Sequence, residues 1–212
     1  RLAHKWFGPI PMGEKYQRNL PLEPLLNESR ILTVEADVPL DAYFKAWHIS
    51  SRLHKGYYTA DLLSDILSGG GSSRLYQSLV KEKQLFSHID CNHSGSIEPG
   101  LLSIEGRLVK GVKMEDAESA LQEEVEKMKN QLVSEAELEK VKNKTESMIA
   151  FEDMTVMNRA NSLAYYELLG NADMMNTELT RYHEVTIHDL KETANEIFEE
   201  GNSSTMEYFS KN

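Results

Sequence analysis

Three consecutive glycines at positions 69–71 constrain this chain more than any other feature, because they separate two helical patterns and a strand pattern follows directly. Upstream, Tyr58, Leu62, Leu63, Ile66 and Leu67 recur at helical spacing. That spacing predicts a helix burying one face and stopping at Gly69, where the chain can adopt backbone angles closed to residues with a Cβ. Downstream, Ser72 or Ser73 offers an N-cap for a second amphipathic helix with Leu75, Leu79 and Val80 on its apolar side. Gln84 and Leu85 then lead into alternating residues.

The same reading extends along the chain. Leu32, Val34, Ala36 and Val38 alternate with polar residues, Tyr43 to Ile49 forms a second alternating run, and Pro39 with Asp41 supplies turn chemistry, so these read as adjacent antiparallel strands. Runs 86–94 and 101–109 read as a hairpin joined by the loop GSIEPG. From Met114 the period becomes helical, with Ala117, Leu121, Val125 and Met128 on one face. Ser134 and Glu137 form a capping box that opens one very long helix, reaching about Leu169 and closed by Gly170. Thr186 and Asp189 open another helix, carrying Leu190, Ala194, Ile197 and Phe198 and ended by Gly201, and Thr205 to Phe209 returns as a final strand. Strands first, helices later and hairpin connections imply an α+β fold, a mostly antiparallel sheet with helices packed on one face. Prolines at 9, 11, 21 and 24, with a fifth just beyond at 39, and weak periodicity before Arg30 make residues 1–30 the end of a preceding module and a linker, and 31–212 the module proper.

Composition limits the partners. The formal charge of −11 is uneven, since residues 113–200 hold 21 acidic and 9 basic side chains. Such a helical half repels phosphate backbones, so nucleic acid is not an expected partner, while a basic peptide would be attracted. Cys91 is the single cysteine, which excludes an intramolecular disulfide and a cysteine-based metal cluster, and its place in an alternating run reads as a small packed residue. No apolar run approaches a membrane span and no leader-like apolar core stands at the amino terminus. A soluble chain is expected, with any targeting signal outside it and its compartment unknown.

The stretch GYYTADLLSDILSGGGSSRLYQSLV resembles the "iLGGGxSSRLfqxLRekxGLaYsv" segment of the non-catalytic module of pitrilysin/insulinase-type zinc peptidases, the family of the mitochondrial processing peptidases. WFGPIP at the start, EPGLLSIEGRL and ELEKVKNK follow in family order, so the resemblance covers nearly the whole chain, from about Trp6 to about Phe209. It implies a carboxy-terminal, processing-peptidase-like metallohydrolase module. Zinc is implied in a partner module, bound through HxxEH, with that module in the same polypeptide or another subunit. No HxxEH or HExxH occurs among the seven histidines here, so no cofactor or metal is expected in this chain.

Two near-misses remain. Asp61 and Asp65 lie one helical turn apart where a zinc helix would fall if the two family modules are duplicates, and are read as screened surface charges rather than ligands. His88 and His93 are separated by an odd number of residues, which puts them on opposite faces of a regular strand. The family also carries an arginine and a tyrosine that reach into the partner's catalytic chamber. The positions here are Val80 and Ser87, which supply neither the donor nor the reach, so no catalytic residue is expected in this chain. Gly69, Gly70, Gly71 and Ser72, with Lys81 and Phe86 beside the two lost positions, are the candidate lining of a substrate chamber. Arg74 reads as a surface or packing residue. The function the resemblance implies is enclosure and binding of an unfolded peptide opposite the HxxEH module. The alternative is a structural, scaffold or peptide-binding subunit without proteolysis.

Overall fold

The computed structural model describes residues 1–14, 20–21, 23–24, 26–95 and 97–211. Parts of the expected linker, and Ser96 within the hairpin loop, lie outside the described residues. Elements run α1 (Leu2–Phe7), β1 (Arg30–Ala36), β2 (Ala42–Ile49), α2 (Lys55–Ser68), a π-helix (Tyr76–Glu82), β3 (Phe86–Ser94), β4 (Gly100–Leu108), α3 (Met114–Asn130), α4 (Glu135–Glu152), α5 (Val156–Leu168), α6 (Met174–His183), α7 (Ile187–Ile197) and β5 (Ser203–Ser210).

The five strands form one sheet in the order β1-β5-β2-β4-β3, antiparallel except for the parallel β1/β5 pair. This mostly antiparallel α+β architecture is the expected one, but β1 and β2 are not neighbours. The last strand inserts between them, pairing Leu32 with Met206 on one side and Phe44 with Met206 on the other. Alternation in β2 and β4 points Tyr43, Trp47, Leu102 and Ile104 inward, where α2, α3 and α7 contribute Leu63, Leu67, Leu121, Leu190 and Ala194 to one continuous core. Gly106 in β4 is required there, since a Cβ would meet the Phe86 ring at 2.5 Å.

Three helical expectations change. The pattern read as one helix to Leu169 breaks, because α4 ends at Glu152 and Thr155 caps α5 by accepting from the Asn158 amide at 3.1 Å. Helix α6 has no counterpart in the sequence reading. The second helix at the glycine triplet is wound as a π-helix, and neither serine caps it: the Ser72 hydroxyl accepts from Lys140 at 3.1 Å and the Ser73 hydroxyl is buried without a partner among the described residues. The capping boxes at Ser134/Glu137 and Thr186/Asp189 are both formed.

Candidate functional site

The glycine triplet makes the turn that the sequence requires. Gly69 donates to the Asp65 carbonyl at 2.7 Å, and Gly70 has φ +109. The turn is then fastened to the start of α4. Arg74 forks onto Glu137 at 3.0 and 2.9 Å, and Glu137 also closes the α4 capping box. That contact, with the capping bond from Ser134, holds the Glu137 carboxyl below its ordinary range. Gly70, Gly71, Ser72 and Lys81 are exposed and Gly69 is half-buried. Phe86 lies in the core under Gly106. Val80 packs half-buried against the core, and Ser87 is exposed, its hydroxyl donating to the Arg107 carbonyl at 3.1 Å. Gln84 stands where the family segment has glycine and holds φ +53, a left-handed backbone for a residue with a side chain.

The other face of α2 borders a cleft of about 460 Å³ between α4, α5 and α6. Its floor is a buried ionic network. Arg52 pairs with Glu178, and both side chains are more than nine-tenths buried. The guanidinium also donates to the hydroxyls of Tyr58 at 2.6 Å and Tyr166 at 3.3 Å, and stacks over the Tyr57 ring with its carbon 4.5 Å from the centroid. Tyr58 in turn donates to Glu178 at 3.2 Å, and Arg181 donates to the Tyr58 hydroxyl at 3.2 Å. Burial raises the pKa of the Tyr58 and Tyr166 phenols, and Tyr57 is pushed up to about 12 by burial while Arg52 pulls the other way.

Asp61 and Asp65 are each engaged inside the protein. Asp61 accepts from the Tyr182 hydroxyl at 2.6 Å and faces His93 Nδ1 at 3.5 Å, while Asp65 is paired with Lys144 at 2.7 Å. Each of the two carboxylates has its own protein partner. The zinc of the wider family therefore does not fit this donor set, and among the described residues no group of three or more His, Cys, Asp or Glu could hold a metal ion. The His93 side chain is buried, with no partner for Nε2 among the described residues, and burial lowers its pKa against the pull of Asp61. His88 lies outside with Asp90 at 2.7 Å, so the two histidines do take opposite faces. Cys91 is buried, which pushes its thiol up and leaves it inert.

Sequence reasoning missed Arg52, Tyr166 and Glu178 and read Tyr58 only as a buried position of the first helix; the four come together from widely separated positions. Only one signal was available. On α6, Glu178 shares a face with Met175 and Tyr182, three and four residues away, which marks a carboxylate turned toward the interior.

The family model described as the peptidase M16 inactive domain matches residues 1–145, and the chain belongs to that family. No curated protein matches it. Among solved structures, a protease from Helicobacter pylori is similar with a TM-score of 0.89 and 22% identity, over 98% of this chain and 51% of that one. A peptidase M16 inactive domain from Pseudomonas fluorescens gives 0.74 and 16%, over 92% and 46%. A chain of Complex III from Candida albicans gives 0.70 and 15%, over 85% and 45%. This chain thus spans about half the length of these proteins. Among the described residues no helix is long and apolar enough to cross a membrane.

Proposed function

We propose that this chain is the non-catalytic half of a zinc metalloendopeptidase, enclosing and binding an unfolded peptide opposite a separate HxxEH module. One observation carries the reading: the chain belongs to the inactive-domain family, and the acids on its α2 are already engaged by Tyr182, His93 and Lys144. The partner's zinc supplies the activated water, and this module supplies the opposing wall, in which exposed Gly70, Gly71, Ser72 and Lys81 are the candidate contacts. The test is cleavage of a quenched fluorescent peptide mixture by this chain, by an HxxEH module of the same protein, and by both. Cleavage only in combination is the expected result. Chelator-sensitive cleavage by this chain alone would refute the reading.

A structural role is the second reading, favoured by Val80 and Ser87 standing where the family presents arginine and tyrosine, and by likeness in fold to a chain of Complex III. Absence of cleavage from every mixture would select it.

A further inference from the structure

Lys45 occupies an unusual position for a cation. It lies on β2, the middle strand of the sheet, on the same face as Tyr43 and Trp47, which are 0% and 2% exposed. Its neighbours across the ladder are Ile104 on one side and Thr205 on the other, and both are buried. The lysine stem thus leaves the sheet among core residues, and the side chain is half-buried.

Among the described residues its ammonium makes no ion pair. Nζ lies 5.8 Å from the centre of the Trp47 ring, and Glu118 and Glu200 act on it only through their longer-range field. Glu118 is itself engaged by the Tyr43 hydroxyl, which donates to it at 2.9 Å. Burial outweighs both carboxylates and lowers the Lys45 pKa from the ordinary lysine value. A lysine held in this way carries more of the free amine, the form that attacks a carbonyl carbon.

Lys45 also lines a cavity of about 370 Å³. Trp47, Val125 and Phe198 form its apolar wall, with the Trp47 and Phe198 rings edge to face at 4.9 Å. Lys129, on the same lining, is paired with Glu126 at 3.0 Å, so the mouth keeps the charge of exposed Glu199 and Glu200. An apolar wall behind a negative rim admits a short neutral acyl chain and disfavours one that ends in a carboxylate.

We infer that Lys45 is a site of covalent acylation, taking short uncharged acyl groups from thioesters. The ε-nitrogen of the free amine attacks the thioester carbonyl, so a C–N bond forms and the C–S bond breaks. The acyl group stays as an amide, the sulfur leaves as a thiol, and the proton first lost from the ammonium passes to solvent. The acyl chain lies against Val125 and Phe198. This chemistry goes beyond the enclosing role and does not rest on it.

The test treats the whole chain at pH 7.5 with butyryl and succinyl thioesters of N-acetylcysteamine, whose leaving group is uncharged, and follows each lysine by mass spectrometry. Lys45 should take the butyryl group at least fivefold faster than exposed Lys110, and the succinyl group no faster than Lys110. Lys45→Arg should remove the fast site and leave the labelling of Lys110 unchanged, and denaturing urea should make the two lysines equal in the native sequence. Glu200→Gln should speed the labelling of Lys45 and narrow the gap between the two reagents. Butyrylation of Lys45 at or below the rate of Lys110, or a selectivity that persists in urea, would overturn the site. The same butyryl-to-succinyl ratio at Lys45 and Lys110, or a ratio indifferent to Glu200→Gln, would overturn the acyl preference.

Discussion

Arg52 and Glu178 show how much a single pair of residues can control in this molecule. Both are desolvated, so neither charge is tolerable without the other. Glu178→Leu should cost about 3–5 kcal/mol in urea unfolding, and the double variant Arg52→Met/Glu178→Leu should cost less than Glu178→Leu alone. His93 gives the fold a pH dependence of defined sign. Its folded pKa is lowered by burial, so the unfolded chain binds the proton more readily. The stability from the neutral ring is complete above the unfolded value of about 6.5 and is lost as pH falls below it. Urea midpoints at pH 7.5 and 5.5 should therefore separate in the native protein, and by less in His93→Gln. Gln84 is the third case: with φ +53 it is strained where glycine is not, and Gln84→Gly should raise stability by about 0.5–1 kcal/mol in thermal unfolding.

At the scale of elements, local chemistry accounts for most boundaries and for the one that sequence reading passed over. The apolar face of α2, the glycine turn, the two capping boxes and the β3/β4 hairpin were all legible, because each is specified by residues within a few positions of one another. The break between α4 and α5 was not. Its signal is a single Thr155 cap, and the adjoining residues Phe151, Met154, Val156 and Met157 continue an apolar pattern although they face solvent. Thr155→Ala should remove that cap and cost about 1 kcal/mol, and a loss below about 0.3 kcal/mol in chemical unfolding would show that the break has another cause. Helix α6 escaped for a related reason: Asp173 provides no side-chain cap, and only Glu178 and Tyr182 among its residues are buried, so its stripe is short. With α6 unread, the cleft it helps to line was unreadable too.

For the molecule as a whole, topology outranks local order. The family resemblance and the sheet-with-helices architecture could be read from motifs, yet the pairing of β1 could not, since its partner β5 lies at the far end of the chain and no local pattern reports a parallel neighbour. β5 bonds to both β1 and β2, so it holds the sheet together from inside. A chain ending at residue 202 should lose cooperative unfolding and near-ultraviolet dichroism, whereas one beginning at residue 30 should keep both; a cooperative melt from the shorter-ended chain would contradict this role for β5. The same placement governs how the protein is made. During synthesis β1 and β2 are made before their shared partner, and the edge that each presents to β5 stays open until Ser203–Ser210 emerges. The sheet cannot close before that segment has been made, so the exposure of those edges is set by the distance in sequence between β2 and β5.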